Sequence, residues 1–236
     1  MWFTARPFTA YGTSHWTVLA LAVAGVAGFV LLGRRAEDRV SRRCGLLLGT
    51  VIALVNLGVE LWLLRPSALP ETLPLHLSDL APYVAAYALW TRRPGACALT
   101  YYWGLTLSTQ SLLTPVLAGP DFPGLLFLGF FADHALVVWA AVFLTWGLGH
   151  RPSWRGYRLT VLITGCWAVA VLAFNAAAGT NYGFLNAKPA TPSLLDLLGP
   201  WPWYLVSEAL LVLVGWALIT LPWERSHALA PARAPD

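Results

Sequence analysis

The sequence predicts an all-α polytopic membrane protein, a single domain over residues 1–236 folded as a bundle of seven transmembrane helices. Its apolar composition, its apolar runs of spanning length and the uneven distribution of its arginines all predict this class. Of the 236 residues, 58% are hydrophobic and 11% are charged, and the mean hydropathy is +0.62. Because a soluble domain carries about 25% charged residues, the composition excludes a soluble globule and a nucleic-acid-binding chain.

Apolar runs between Arg, Pro and Gly residues define the spans, since a crossing helix needs about 20 apolar residues. The third run is the least hydrophobic, but without it the alternation of basic and non-basic connections would be lost. Pro82 cannot donate to the carbonyl of Ser78, so we expect helix three to be broken or kinked between these residues. The predicted spans cover residues 16–33, 44–64, 73–90, 96–117, 125–148, 157–178 and 204–221.

The basic residues lie almost entirely on one side of the predicted bundle. Twelve of the 15 Lys and Arg residues belong to the connections 34–43, 91–95 and 149–156, to their flanks or to the C-terminal tail. The positive-inside rule therefore places the N-terminus outside and the C-terminus in the cytoplasm. The expected location is the inner or plasma membrane, as a multi-pass protein. The other side has only Arg6, Arg65 and Lys188.

The outer connection 179–203 is unusually long and mixes turn residues with apolar ones. Long connections in compact proteins are usually functional or disordered. We expect an ordered lid over the helix ends, with Asn181, Asn186 or Lys188 at the rim of the site; the alternative is a floppy surface loop. The ammonium group of Lys188 is suited to holding a phosphate or carboxylate headgroup.

Polar side chains within the spans indicate a functional cavity, because such groups are costly at membrane depth. With a helical rise of 1.5 Å per residue, most of them lie about 6 to 14 Å below the outer end of their spans. This common depth predicts one polar chamber in the outer half of the bilayer and does not favour a continuous channel. Its candidate lining residues are Asn56, Glu60, His76, Ser78, Asp79, Gln110, Asp133, His134 and Glu208.

Two constellations in this set have the residue types for nucleophilic chemistry. Ser78 and Asp79 lie on span three, and Asp133 and His134 lie on span five. A serine is a weak nucleophile without a neighbouring base, and histidine is the side chain best suited to accept its proton near neutral pH. The bland alternatives are that Ser78 is a small packing residue and that the other polar groups only join helices.

Three strings in the sequence resemble the bacterial YwaF-like integral membrane family: LPLHLSDLAPY, FADH and NAAAGTNYGFLNAKPATPSLLDLLGPWPWY. The resemblance covers nearly the whole chain. Eukaryotic relatives of that family resemble acyltransferases of ether phospholipids, and more distant kin resemble intramembrane hydrolases of fatty acid esters. In those proteins a Thr or Cys nucleophile works with a His on another span. The resemblance implies Ser78 and His134 for these roles, although we expect Cys at the first position.

The leading hypothesis is a membrane-embedded acyltransferase or lipid-ester hydrolase without a cofactor, acting on a membrane lipid or acyl chain. Ser78 is the predicted nucleophile, His134 the base, and Asp79 or Asp133 orients an imidazole. The alternative is a non-enzymatic lipid or solute carrier that uses the same chamber. A third hypothesis takes His76, Asp79, Asp133 and His134 as metal ligands, although the chain has no HxxxH pair.

The catalytic hypothesis makes a geometric prediction. The serine oxygen and an imidazole nitrogen should lie about 3 to 5 Å apart. The other nitrogen of His134 should meet Asp79, Asp133 or Gln110, which would leave the facing nitrogen basic. His76 and Gln110 should offer donors to a developing oxyanion.

Overall fold

The chain is helical in the residues that the computed structural model describes, 6–190 and 193–228. Seven longer helical segments each overlap one predicted span, and short helical turns lie at Pro66–Ala68, Leu69–Thr72, Tyr182–Phe184 and Leu194–Leu198. The longer segments are numbered here in chain order. They are α1 (Thr13–Arg35), α2 (Asp38–Leu63), α3 (Leu77–Thr91), α4 (Pro94–Trp103, continued by a π-helical segment, Gly104–Ser108, and by Thr109–Leu113), α5 (Leu125–Val142, continued by a π-helical segment, Phe143–Gly147), α6 (Trp154–Ala178) and α7 (Trp203–Ala228).

Within the described residues, five helices are long and apolar enough to cross a membrane. This confirms the multi-pass membrane class, but α3 and α4 are not in the set. The 15 residues of α3 rise only about 22 Å, against a hydrocarbon core of about 30 Å. The five candidate spans are Thr13–Arg35, Asp38–Leu63, Leu125–Gly147, Trp154–Ala178 and Trp203–Arg225.

The third helix begins later than the predicted span 73–90. Its first residue is Leu77, and the side chain of Asp79 accepts a hydrogen bond of 2.8 Å from the backbone N–H of His76. The helix then runs through Pro82 to Thr91. The predicted break between Ser78 and Pro82 is therefore wrong, and the interruption lies before Leu77. Pro82 is tolerated because the carbonyl that it leaves unpaired belongs to the first turn.

Helix α3 lies at the centre of the bundle, where it packs against α2, α4 and α5. Its inward face consists largely of small side chains, which let neighbouring backbones approach closely. The consequence for the site is that any group on the first turn of α3 faces other helices and not only lipid. The buried residues of this face are Ala81, Ala85, Ala86, Ala88 and Leu89.

Two contacts hold α1 against the rest of the bundle. At one end, the His15 ring, which is fully buried, accepts a hydrogen bond from the N–H of Tyr11 and contacts the carbonyl of Leu112 at 2.7 Å. At the other end, Gly33 lies against Gly147, and a Cβ atom on Gly33 would come within 2.5 Å of the Gly147 Cα. His15, which the sequence left without a role, therefore joins α1 to the end of α4.

The Gly33 contact predicts a position-specific cost of adding one methyl group. Gly33→Ala should lower the free energy of unfolding by about 1 to 3 kcal/mol, because the Gly147 backbone cannot move aside without strain. The melting temperature of the purified protein should fall accordingly. Gly28→Ala is the matched control on the same helix, since a Cβ there meets nothing within 4 Å. Equal melting temperatures for the two variants would contradict the close approach of α1 and α5.

Candidate functional site

A buried amide joins α2 to the first turn of α3. The side-chain nitrogen of Asn56 donates to the Glu60 carboxylate at 3.0 Å and to the backbone carbonyl of Asp79 at 3.2 Å. Asn56 is 3% exposed, so both bonds lie inside the bundle. Two predicted site residues of α2 are thereby brought to the candidate nucleophile segment.

Tyr83 is a member of this cluster that sequence reasoning missed. Its hydroxyl donates to the second carboxylate oxygen of Glu60. The available signal was its spacing, because residues four apart share one face of a helix and Asp79 is four residues earlier. Both oxygens of Glu60 consequently have partners.

Asp133 brings a third carboxyl group to the same region. It is 8% exposed, and it interacts electrostatically with Glu60 and Asp79. Its Oδ1 atom is buried and has no hydrogen-bond partner within the described chain. An unpaired buried polar atom is costly, so this oxygen is a place where a ligand or a proton can be accommodated.

His134 is the next residue on α5 and is 6% exposed. Its recorded neighbour is Phe130, whose ring meets the imidazole edge to face with centroids 4.5 Å apart. No side-chain hydrogen bond of the described residues involves the His134 ring. The predicted acceptor on its second nitrogen is therefore missing, because Asp133 lies on another face of the helix, Asp79 accepts from the His76 backbone, and Gln110 is exposed.

The candidate nucleophile lies beside an acid. Ser78 is half-buried in the first turn of α3, and its side chain interacts with the carboxylate of Asp79. α3 packs against α5, and Asp79 of α3 interacts electrostatically with Asp133 of α5. Ser78 precedes Asp79 and His134 follows Asp133, so the candidate nucleophile and the candidate base each adjoin one member of this carboxyl pair.

His76 contacts the connection that follows α6. Its Nδ1 accepts a hydrogen bond of 3.2 Å from the N–H of Gly183, so a neutral ring carries its proton on Nε2. Tyr182 packs edge-on against the ring with centroids 5.0 Å apart, and its hydroxyl donates to the carbonyl of Pro70. Burial raises the pKa of Tyr182, which keeps this phenol a neutral donor.

In its described part, the connection 179–203 begins on the end of α6. Asn175 is fully buried, donates to the carbonyl of Tyr182 at 2.9 Å and accepts from the hydroxyl of Thr180. A single buried amide thus holds the first turn of the loop against α6. The first half of the connection covers the start of α3, as a lid would.

The polar residues expected at the rim of the site instead bond to partners within the connection itself. Asn181 donates to the carbonyl of Ala187, and Asn186 donates to that of Thr180. Both amides therefore shape the loop, because short polar side chains bond readily to nearby backbone. Lys188 forms an ion pair of 3.8 Å with Asp196 and lies over the ring of Tyr204.

Two further candidates lie at the edges of the cluster. Gln110 is exposed in the last turns of α4, after the π-helical segment. Glu208 is half-buried on α7, one turn after Tyr204, with which it interacts electrostatically. Neither contacts the cluster of Asn56, Glu60, Tyr83 and Asp79 through a hydrogen bond of the described residues.

The polar groups form a packed cluster, and two clefts of the described chain lie elsewhere. Both clefts lie at the opposite, Arg-rich end. Within residues 6–190 and 193–228, no group of three or more His, Cys, Asp or Glu side chains is arranged to hold a metal ion. The metal-ligand hypothesis for His76, Asp79, Asp133 and His134 therefore has no geometric support.

Comparison with known proteins gives a family and one distant relative. Residues 10–220 match the TMEM164 family. An uncharacterized protein of Treponema pallidum (strain Nichols) is 29% identical over 184 residues, which cover 77% of this chain and 76% of the relative. No solved structure matches the chain significantly.

The family match overturns the YwaF-like assignment. The sequence strings that suggested it all lie within residues 10–220, and that whole segment matches a different membrane family. Short strings of turn and aromatic residues were insufficient to separate one polytopic family from another. The chain belongs to the TMEM164 family.

Proposed function

We propose that this protein is a membrane-embedded enzyme that transfers or hydrolyses the acyl group of a lipid ester, with Ser78 as nucleophile and His134 as general base. One observation carries the proposal: His134, which is 6% exposed, follows Asp133, whose buried Oδ1 has no hydrogen-bond partner in the described chain and whose carboxyl group interacts with Asp79, the residue after Ser78. Buried polar groups without partners are rare in folded proteins and often mark functional positions.

The reaction divides into two steps. The Ser78 oxygen attacks the ester carbonyl while His134 takes its proton, and the tetrahedral intermediate expels the lipid alkoxide, which receives that proton. The acyl group then passes from Ser78 to a second hydroxyl, either that of an acceptor lipid or that of water. Before attack, the hydroxyl must exchange its contact with Asp79 for one with His134.

Labelling with a fluorophosphonate tests the nucleophile without knowledge of the natural substrate. The reagent should modify Ser78 in membranes, and His134→Ala should reduce the labelling rate by about 100-fold or more, as expected for loss of a general base. The Ser78→Cys variant should instead react at position 78 with a thiol-directed acyl probe.

Ser207→Ala is the matched control, because Ser207 is half-buried on α7, outside the cluster. Its labelling should equal that of the wild type. A wild-type protein that remains unlabelled at Ser78 would exclude an activated serine.

A second function is favoured by the carboxyl cluster. The unpaired oxygen of Asp133 suits a ligand that offers a hydrogen-bond donor, so a lipid or solute carrier would use the same groups. Such a carrier would move its ligand across proteoliposomes, and Ser78→Ala would leave transport unchanged.

Replacing Asp133 by asparagine should raise the stability of the protein and lower its reactivity at Ser78. Burial and the neighbouring carboxyl groups of Glu60 and Asp79 both disfavour a charged Asp133, so Asp133→Asn should stabilise the purified protein by about 1 kcal/mol or more. The same change should lower the rate of labelling at Ser78. Glu71→Gln, at an exposed site, should change neither quantity, and a destabilised Asp133→Asn protein would show that the carboxylate has a partner that stabilises it.

We further propose that all seven helices lie across the cytoplasmic membrane, with the N-terminus outside and the C-terminus in the cytoplasm. The support is the clustering of arginine at the ends of α1, α3 and α7 and at the starts of α2 and α6. The lid and the candidate nucleophile then lie toward the outer surface.

Cysteine accessibility tests this orientation. In a variant whose three native cysteines are replaced by alanine, a membrane-impermeant maleimide added to intact cells should label Ala187→Cys and leave Arg151→Cys unlabelled. Both positions are exposed in the structure, so detergent should make both reactive. The reverse pattern in intact cells would invert the topology.

A further inference from the structure

The Arg-rich end of the bundle contains a cleft that the catalytic proposal does not use. It has a volume of about 520 Å³ and is open to solvent. Four guanidinium groups and one carboxylate line it, which leaves a local charge of +3 (four minus one). The lining residues are Asp38, Arg39, Arg42, Arg43 and Arg92.

Arg92 distinguishes this cleft from an ordinary basic membrane border. Its Nε and one terminal nitrogen are buried and have no hydrogen-bond partner in the described chain. Exposed arginines at a helix end satisfy such donors with water. Buried guanidinium nitrogens without an acceptor are costly, so these two donors of the half-buried Arg92 indicate the position of a missing acceptor.

The backbone at Arg92 adds to this cost. The residue ends α3 in the left-handed region, with φ 53° and ψ 26°, where glycine or asparagine is usual. A side chain other than glycine in this region has an unfavourable conformational energy. The conformation directs the chain from α3 into α4 and holds the guanidinium at the cleft.

Arg92 forms no ion pair with another described residue. The ion pair recorded in residues 6–190 and 193–228 joins Lys188 to Asp196, at the other end of the molecule. Burial lowers the pKa of His150, and the positive charge of Arg92 lowers it further. The one acid in the cleft, Asp38, is exposed at the start of α2.

We propose that this cleft binds a phosphate group, presented by a phosphate monoester or diester. The planar guanidinium of Arg92 would hold two phosphate oxygens, since arginine donors match phosphate geometry in pairs. The exposed Arg39, Arg42 and Arg43 supply the remaining charge. The site lies about 21 Å from Ser78 along α3, so it rests on no part of the catalytic proposal.

Two sources supply this chemistry, and they are separable. A lipid headgroup would come from the membrane leaflet at the Arg-rich end, and a soluble phosphorylated molecule would come from the adjoining water. Native mass spectrometry of the purified protein with phosphatidylcholine or phosphatidylglycerol reports the first source. Thermal unfolding in neutral detergent with inorganic pyrophosphate reports the second, because a ligand that binds the folded state raises the melting temperature.

Two variants distinguish binding in the cleft from general attraction to the basic end of the bundle. Arg92→Gln should weaken binding of the responding probe by about 10- to 100-fold, the effect of losing hydrogen bonds to a charged group. Arg158→Gln removes the same charge from an exposed residue at the same end of the bundle, outside the cleft. It should change affinity by less than about twofold, as expected for a single exposed and screened charge.

Each outcome decides the proposal. Preferential retention of phosphatidylglycerol identifies a lipid headgroup, and a shift with pyrophosphate identifies a soluble ligand. Absence of both responses, or equal losses in Arg92→Gln and Arg158→Gln, would overturn the site. If Arg92→Gln fails to fold, Arg42→Gln replaces it and must weaken binding more than Arg158→Gln. Ser78→Ala should bind the probe as the wild type does.

Discussion

The Asn56 amide is the interaction on which the candidate site depends. It donates both to a side chain of its own helix, Glu60, and to the backbone of Asp79 on the neighbouring one. In a membrane, helices gain little from burying apolar surface against each other, so interhelical hydrogen bonds and close packing set their positions. The first turn of α3 is held in this way, and the alanine-rich face behind it lets α2, α4 and α5 approach.

The electrostatics of the cluster follow from this arrangement. Three carboxyl groups from α2, α3 and α5 lie close enough to interact, in surroundings that screen charge poorly. Glu60 and Asp79 have donors, whereas one oxygen of Asp133 has none. The unpartnered Asp133 oxygen is thus on the same helix as the His134 imidazole, and both residues are buried.

The helices could be predicted from local pattern, because each corresponds to an apolar run bounded by Arg, Pro or Gly. The start of α3 could not, since it depends on Asp79 capping His76 and on loop residues more than 100 positions later. The role of His15 depends on an equally distant carbonyl, that of Leu112. In the site, residue type and predicted depth grouped Asn56, Glu60, Asp79 and Asp133, which interact in the structure. Which of them are paired, as with Asn181 and Asn186 in the loop, is decided by contacts that no local pattern contains.

The segment 66–76, which precedes α3, has a consequence for how the protein is made. Its carbonyls at Pro70 and Leu75 are paired with the side chains of Tyr182 and Trp167, which lie 112 and 92 residues later in the chain. Unpaired carbonyls are not tolerated among lipid tails. During synthesis from the N-terminus, this segment therefore stays in water or in the insertion machinery until α6 and the lid have emerged. Packing of the start of the third helix is then a late event, and the candidate nucleophile reaches its final surroundings only when the chain is nearly complete.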